Sequence, residues 1–120
     1  MRRKHHELLA WQEAIALVKE VYRATTDFPR EEAYGLTNQI RRAAISVPSN
    51  IAEGAARTGD KEFLQFLSIA RGSLSELETQ VIIANELGYL GQSHQLMARI
   101  DKIFGLVGGL MTSLRKRKTK

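Results

Sequence analysis

Residues 34–57 read YGLTNQIRRAAISVPSNIAEGAAR, and this stretch decides the fold class. Its apolar side chains recur at three- and four-residue steps, which places them on one face of a helix. They are Leu36, Ile40, Ala43, Ala44, Val47 and Ile51. A second face carries residue types suited to specific hydrogen bonds rather than to general solvation. These polar residues are Arg42, Ser46, Asn50, Glu53 and Arg57.

Pro48 lies in the middle of this predicted helix. Proline has no backbone N–H, and its ring clashes with the carbonyl four residues earlier, here that of Ala44. It also biases Val47 away from helical geometry. The helix is therefore either kinked at Pro48 or broken and restarted there. We favour a kinked continuous helix, because the apolar spacing keeps its phase across the proline.

Three further segments have helical periodicity, and short turns separate them. The four predicted helices span about residues 8–26, 31–56, 60–87 and 93–115, with basic tails at 1–6 and 115–120. Short connections favour antiparallel neighbours, so the predicted fold is an all-α, up-down-up-down four-helix bundle. A length of 120 residues predicts a single domain over 1–120.

Each predicted helix has an apolar face for the bundle to bury. The face of helix three alternates steps of four and three residues, which is typical of a bundle seam. It consists of Phe63, Leu67, Ala70, Leu74, Leu77, Val81 and Ala84. The expected seam of helix one is Leu8, Trp11, Ile15, Val18 and Tyr22, widened by Ala14, Leu17 and Val21. Trp11 is interpreted as a core anchor rather than as a residue that stacks on a ligand.

Helix four has more apolar surface than one seam needs. Its expected core positions are Leu96, Ile100, Ile103, Val107, Leu110 and Leu114. A second stripe at seven-residue spacing consists of Met97, Phe104 and Met111, and Gly105, Gly108 and Gly109 add small positions. Glycines are costly in a helix, so either another helix packs very closely there or helix four bends. The residues alone are equally compatible with a wide core stripe and with a subunit interface.

A polar network is predicted between helices two and three. Gly72 and Ser73 lie in the middle of helix three beside its seam, and such small residues allow a neighbouring helix to approach closely. We expect this face to receive the polar face of helix two, because buried polar groups need hydrogen-bond partners. The alternative is that these groups are simply solvated. The predicted network comprises Arg42, Ser46, Asn50, Glu53, Ser73 and Glu76.

The positive charge is concentrated at the two ends of the chain. The formal net charge is +5, yet residues 7–114 hold ten basic and thirteen acidic side chains. In an up-down-up-down bundle both termini and the turn between helices two and three lie at the same end. This arrangement predicts an electrostatic nucleic-acid-binding surface there. The expected contacts are Arg2, Arg3, Lys4, Arg57, Lys61, Arg115, Lys116, Arg117 and Lys118.

One alternative function of the tails and one feature of their composition limit this prediction. Terminal Lys and Arg runs can serve only to keep a protein soluble. The tails also contain no interleaved aromatic residues, so we expect no base stacking there and weak sequence specificity. His5 and His6 are interpreted as solvated tail residues.

The sequence contains no pattern that indicates catalysis or a cofactor. Cysteine is absent, which excludes disulfides and thiolate metal sites and fits a reducing cytoplasm. No Glu-x-x-His pair, HExxH motif or glycine-rich phosphate loop occurs. No apolar run approaches the ~20 residues that a membrane helix needs. We therefore expect a cytoplasmic protein that is not an enzyme, with no metal, no cofactor and no membrane contact.

The chain resembles the 23S rRNA intervening sequence proteins. The resemblance is carried by residues 34–57, by FLQFLSIARGSLSELETQ at 63–80, and by LLAWQEAIALVKEVYRATTDFP at 8–29. It implies a small helical bundle, a homopentameric ring without known catalysis, and a subunit interface at Met97, Phe104 and Met111. A related group accompanies the reverse transcriptases of diversity-generating retroelements. The partners implied are a second copy of the chain, RNA or DNA, and a reverse transcriptase or other protein. The alternative function is that of a protein-interaction scaffold.

Overall fold

A computed structural model describes residues 3–91 and 94–117 of the chain. The four long helices are α1 at Leu9–Ala24, α2 at Leu36–Ala55, α3 at Asp60–Glu86 and α4 at His94–Arg117. Two 3-10 turns, Lys4–Glu7 and Arg30–Glu32, precede α1 and α2. Within the described ranges there is no strand. The predicted all-α, four-helix class is confirmed.

The helix α2 continues without interruption through Pro48, whose side chain is buried. This excludes a broken and restarted helix, whereas the kink stays a prediction. The start of α2 differs from the expected residue 31. The chain first makes the Arg30–Glu32 turn, and Gly35, with φ and ψ both −112°, then precedes the helix. The Glu32 carboxylate caps the new start, because its Oε1 accepts the Leu36 N–H at 3.2 Å.

The helices close into a ring of neighbours around one core. α2 packs against α1 and α3, and α4 packs against the same two helices. The contacts between α2 and α3 pair Ser46 with Ser73 and Gly54 with Phe63, the order expected of helices that run in opposite directions. All seven residues of the predicted α3 seam are buried, which confirms that seam. Of the described helices, none has an apolar stretch that could span a bilayer.

Of the glycines of α2 and α3, Gly54 lies against the neighbouring helix and Gly72 does not. A Cβ built on Gly54 would lie 2.7 Å from the Cβ of Phe66 and 3.0 Å from Cδ1 of Phe63. Gly72 is exposed, and nothing lies within 4 Å of a Cβ built there. The expectation that Gly72 receives α2 is therefore wrong. Its neighbour Ser73, one residue further round the helix, faces α2 instead.

The register of α1 also differs from the prediction. The buried residues are Ala10, Ala14, Leu17 and Val21, so the positions expected to widen the seam form the core itself. Ile15 and Tyr22, expected in the seam, are exposed. Two of the four core positions are alanines, whereas Ile15 and Tyr22 present large side chains at the surface. These two exposed side chains are thus available for a role outside the core.

Ion pairs join α1 to α4. Arg99 donates to the Glu13 carboxylate at 2.7 Å and also pairs with Glu20. Lys102 lies 3.4 Å from the same Glu13 carboxylate. The four side chains satisfy one another, so this cluster stabilises the helix pair without leaving a free carboxylate. Sequence periodicity gave no signal for it, because these pairs join residues about eighty positions apart.

The helix α3 ends at the predicted glycine. Gly88 has a φ of +78°, a conformation that glycine adopts without strain. The N–H of Tyr89 donates to Ala84 O at 2.9 Å and that of Gly88 to Asn85 O at 3.0 Å, which is a Schellman motif. The Tyr89 hydroxyl also donates to Glu32 at 3.0 Å, and this hydrogen bond raises the pKa of Tyr89. The α3–α4 connection is thereby tied to the turn before α2.

Candidate nucleic-acid interface

Three separate segments of the chain meet at one end of the bundle. The Lys4 Nζ lies 5.5 Å from the centre of the Phe63 ring, which brings the N-terminal turn against the start of α3. Arg117 donates to the Asp60 carboxylate at 3.1 Å, which brings the end of α4 to the same place. We call the described cations of this end the basic pole: Arg3, Lys4, Arg57, Lys61, Arg115, Lys116 and Arg117. Arg2 and Lys118, also predicted to bind nucleic acid, lie outside the described residues.

Carboxylates neutralise part of the basic pole. Arg57 pairs with Glu53 at 2.9 Å and lies 3.8 Å from Glu62, and its guanidinium stacks 4.8 Å from the centre of the Phe66 ring. Arg117 is held by Asp60, as described above. Lys61 and Arg115 are exposed and form no ion pair with any described residue. They remain available for an anionic ligand.

An aromatic cluster lies beside the basic pole. The His5 and His6 ring centres are each 5.1 Å from that of Trp11 and 4.4 Å from each other. These separations are typical of favourable ring contacts. All three side chains are half-buried, so the expectation that the histidines are solvated tail residues is wrong. Trp11 packs on the edge of the core rather than inside it.

Hydrogen bonds hold this N-terminal turn on α1. The Arg3 N–H donates to Nδ1 of His6 at 3.0 Å, and the Gln12 amide donates to the His6 carbonyl at 2.8 Å. Burial lowers the pKa of His5, and the charges of His6 and Arg3 lower it further. His5 therefore tends to remain neutral near pH 7 and to present an uncharged ring.

The aromatic cluster opens into a groove of about 410 Å³ between α1 and α2. We call it the α1–α2 groove. Its floor is Pro48, which is buried, and its walls include the outward-facing apolar residues of α1. The lining consists of His5, Trp11, Ile15, Val18, Lys19, Ile45, Pro48, Ser49 and Ala52. It contains one cation and no carboxylate.

The predicted polar network is present in part. The Ser46 and Ser73 hydroxyls are 2.8 Å apart and share a hydrogen bond across the α2–α3 interface. The Asn50 amide donates to the Ser46 carbonyl at 2.8 Å and to its hydroxyl at 2.9 Å. These three side chains are half-buried, so the hydrogen bonds replace water that the packing partly removes.

The other three members of the predicted network lie apart from this trio. Glu53 pairs with Arg57, and Glu76 accepts a hydrogen bond from Gln80 at 3.3 Å. Arg42 is exposed and, together with Ser46 and Glu76, lines a polar groove of about 340 Å³ between α2 and α3. No hydrogen bond joins the side chain of Arg42, Glu53 or Glu76 to that of Asn50.

Replacing Asn50 by alanine is expected to lower the free energy of unfolding by about 1 kcal/mol. Two half-buried hydrogen bonds are lost at roughly 1 kcal/mol each, and the better helix propensity of alanine offsets part of the loss. Asn85→Ala is the matched control, since Asn85 is exposed and its side chain forms no such contact. Denaturant unfolding of both variants makes the comparison. Equal midpoints would show that the trio contributes nothing.

The predicted interface residues of α4 do not form one exposed stripe. Met111 is 2% exposed and belongs to the core, so its side chain is not available to a second copy in this fold. Met97 and Phe104 are half-buried against the core. No described helix of this chain packs closely against the α4 glycines, since a Cβ built on Gly105 or Gly109 would meet nothing within 4 Å.

Sequence reasoning missed a second inter-helix contact. The Arg41 guanidinium donates to the Thr25 hydroxyl at 2.9 Å and stacks 4.4 Å from the Tyr22 ring centre. The Thr25 hydroxyl in turn donates to the Val21 carbonyl at 2.8 Å. The sequence pattern does not indicate which of the two adjacent arginines, Arg41 or Arg42, faces α1. In the described part of the chain, no three His, Asp or Glu side chains come together as metal ligands.

The fold and the interface define the class: a small helical bundle that gathers cations from both ends of its chain at one pole. The model of the 23S rRNA-intervening sequence protein family matches residues 6–109. The chain therefore belongs to the 23S rRNA-intervening sequence protein family, as its sequence resemblance implied. A search of curated proteins found no match to the chain.

Proposed function

We propose that this protein is a non-catalytic, homo-oligomeric helical bundle that binds RNA or DNA through its basic pole. The observation that carries the proposal is the convergence of the N-terminal turn, the α2–α3 turn and the end of α4. That convergence concentrates seven cations near four carboxylates, those of Glu7, Glu53, Asp60 and Glu62. The absence of cysteine fits a protein that works in the cytoplasm.

The exposed cations of the basic pole are suited to bind phosphate groups rather than the edge of a particular base. Lys61 and Arg115 are exposed cations without an ion pair among the described residues, and Lys4, the neighbour of His5 in the chain, lies over the Phe63 ring at the start of α3. Cations of this kind displace condensed counterions from a nucleic-acid backbone, and that release drives binding without reading sequence. We therefore infer tight binding at low salt and little sequence preference.

A titration against labelled RNA and DNA at several salt concentrations tests the proposal. If the pole engages about four phosphates, the plot of log affinity against log salt should have a slope of roughly −3 for single strands. Affinity should then fall about 50-fold between 50 and 200 mM salt. Absence of binding at the lowest salt would refute a nucleic-acid role.

Homo-oligomer formation is supported by the outer face of α4. Gly105, Leu106, Gly109 and Leu110 line an apolar groove of about 340 Å³ together with Leu8, Leu9 and Ala10 of the N-terminal region. Leu9 is 50% exposed. The open glycines would let a helix of a second copy approach closely. In a cyclic assembly every basic pole would point the same way and form a cationic ring.

The second candidate function is that of a protein-interaction scaffold, and exposed apolar residues of α3 favour it. Ile69, Ile83 and Leu87 are each about half exposed, and their helical spacing places them on one side of α3. A partner such as a reverse transcriptase would bind this face. Such binding should survive high salt and fail when Ile83 is made charged, whereas nucleic-acid binding should show the opposite pattern.

A further inference from the structure

The α1–α2 groove differs from the other grooves of the described residues in its chemistry. The polar groove between α2 and α3 includes Glu76, and a groove between α1 and α4 includes Glu13. The glycine-lined groove has no charged side chain. Only the α1–α2 groove, among those described here, combines aromatic rings with a cation and lacks a carboxylate.

We propose that the α1–α2 groove accepts an unpaired base of a single-stranded nucleic acid, stacked against Trp11 and His5, while neighbouring phosphates bind the basic pole. This inference rests on the proposed nucleic-acid function and names the form of nucleic acid bound. A base in a duplex has both faces covered by its neighbours, whereas an unpaired base can stack on an aromatic side chain.

The position of the groove matches the path that a strand would follow from the pole. Arg3 and Lys4 directly precede His5 in the chain, so cations lie where the groove begins. Lys19 lies further along the α1 wall of the groove, about two helical turns beyond Trp11. If a base binds between Lys4 and Lys19, the phosphates on either side of that nucleotide lie near positive charge.

The walls of the groove also suit the flat apolar faces of a base. Ile15 and Ile45 are 39% and 41% exposed, although such residues are usually buried. The hydrogen bonds from Gln12 to the His6 carbonyl and from Arg3 to His6 Nδ1 fix the turn that carries the rings. The groove is therefore formed before a ligand arrives, which lowers the entropic cost of binding.

The experiment uses the full-length chain and its single tryptophan as the probe. Trp11 fluorescence is followed during titration with single-stranded oligo-U and oligo-dT of about ten nucleotides. A duplex and an abasic strand of the same length are titrated in parallel, and binding of all four is followed by anisotropy of an end label. We expect quenching by both single strands and little quenching by the duplex or the abasic strand.

A charged substitution in the groove provides the second arm. Ile45→Glu should weaken single-strand binding about fivefold or more and abolish the quenching, because stacking contributes roughly 1–3 kcal/mol per base. Ile82→Glu is the matched control: Ile82 is similarly exposed, at 48%, but lies on α3 outside the groove. It makes the same change in net charge and should leave quenching intact. Circular dichroism establishes that both variants are folded.

Each alternative outcome has a defined meaning. Binding of every ligand with no change in Trp11 fluorescence would overturn this inference and leave the basic pole's function standing. No binding of any ligand would overturn both. A chain that is oligomeric by light scattering, whose Trp11 is shielded from acrylamide and which dissociates on Ile45→Glu, would show that a second copy occupies the groove. That result would also overturn the inference.

Discussion

Replacing Gly54 by alanine is expected to destabilise the protein by about 2 kcal/mol. The added Cβ would meet the Cβ of Phe66 at 2.7 Å and Cδ1 of Phe63 at 3.0 Å, with the Phe63 carbonyl oxygen at 3.3 Å. The Phe66 atom is bonded directly to the backbone of α3, so rotating a side chain cannot relieve the contact. Overpacking of this kind costs roughly 1–3 kcal/mol, and the helix propensity of alanine offsets at most about 1 kcal/mol.

Gly72→Ala is the matched control, and we expect it to have the opposite sign. Gly72 lies within α3, is exposed and has nothing within 4 Å of a Cβ built there. Alanine there should stabilise the helix by up to about 1 kcal/mol. In thermal unfolding, the two variants should differ in Tm by roughly 10 °C for a chain of this size. Equal Tm values would contradict the close approach of α2 and α3 at Gly54.

The change at Gly54 also reaches the basic pole. Lys4 lies over the Phe63 ring and Arg57 over the Phe66 ring, so the two phenylalanines that contact Gly54 also support two cations of the pole. Displacing α3 would move these cations relative to one another. We therefore expect Gly54→Ala to weaken nucleic-acid binding even at temperatures where the variant is folded.

The sequence alone predicted the elements that depend on local chemistry. The α3 seam is fully buried, because its spacing keeps one stripe in phase over the length of the helix. Gly88 ends α3 because only a residue that tolerates positive φ fits there. The Ser46–Ser73 contact joins two residues that helical spacing had placed on facing surfaces.

Features set by the relative position of helices could not be predicted in the same way. Helix one has two overlapping apolar stripes, and periodicity alone cannot decide which one faces the core. The packing selected the alanine-rich stripe and left Ile15 at the surface. Gly54 and Gly72 likewise look equivalent in sequence, although only Gly54 meets another helix. The aromatic cluster depends on how the N-terminal turn folds back onto Trp11, which no pattern in residues 1–11 indicates.

Charge reversal in the basic pole is expected to have the second large effect, on the affinity for nucleic acid. Reversing the charge of Lys61 and Arg115 together, in Lys61→Glu/Arg115→Glu, is expected to lower affinity for single-stranded RNA at least about tenfold near 0.1 M salt. Each lost phosphate contact reduces the salt slope by roughly 0.7, so the slope should fall by about 1.4. Neither residue has an ion pair to lose among the described side chains.

The helix dipole keeps the stability of this double variant close to that of the parent. Lys61 lies in the first turn of α3, where glutamate is the more favourable residue, and Arg115 lies in the last turn of α4, where it is the less favourable one. The two effects on folding therefore oppose each other. A loss of binding can then be assigned to the surface charge rather than to unfolding.

Arg23→Glu/Arg30→Glu is the matched control for position. Arg23 is in the last turn of α1 and Arg30 in the turn before α2, about 24 Å along α1 from the basic pole. Each double variant replaces two cations by two carboxylates and so lowers the formal net charge from +5 to +1. If net charge alone attracted nucleic acid, the two variants would lose the same affinity and the pole would have no special role. If the pole is the binding surface, the Lys61 and Arg115 variant should lose much more, because phosphate contacts act within about one Debye length, ~10 Å at 0.1 M salt.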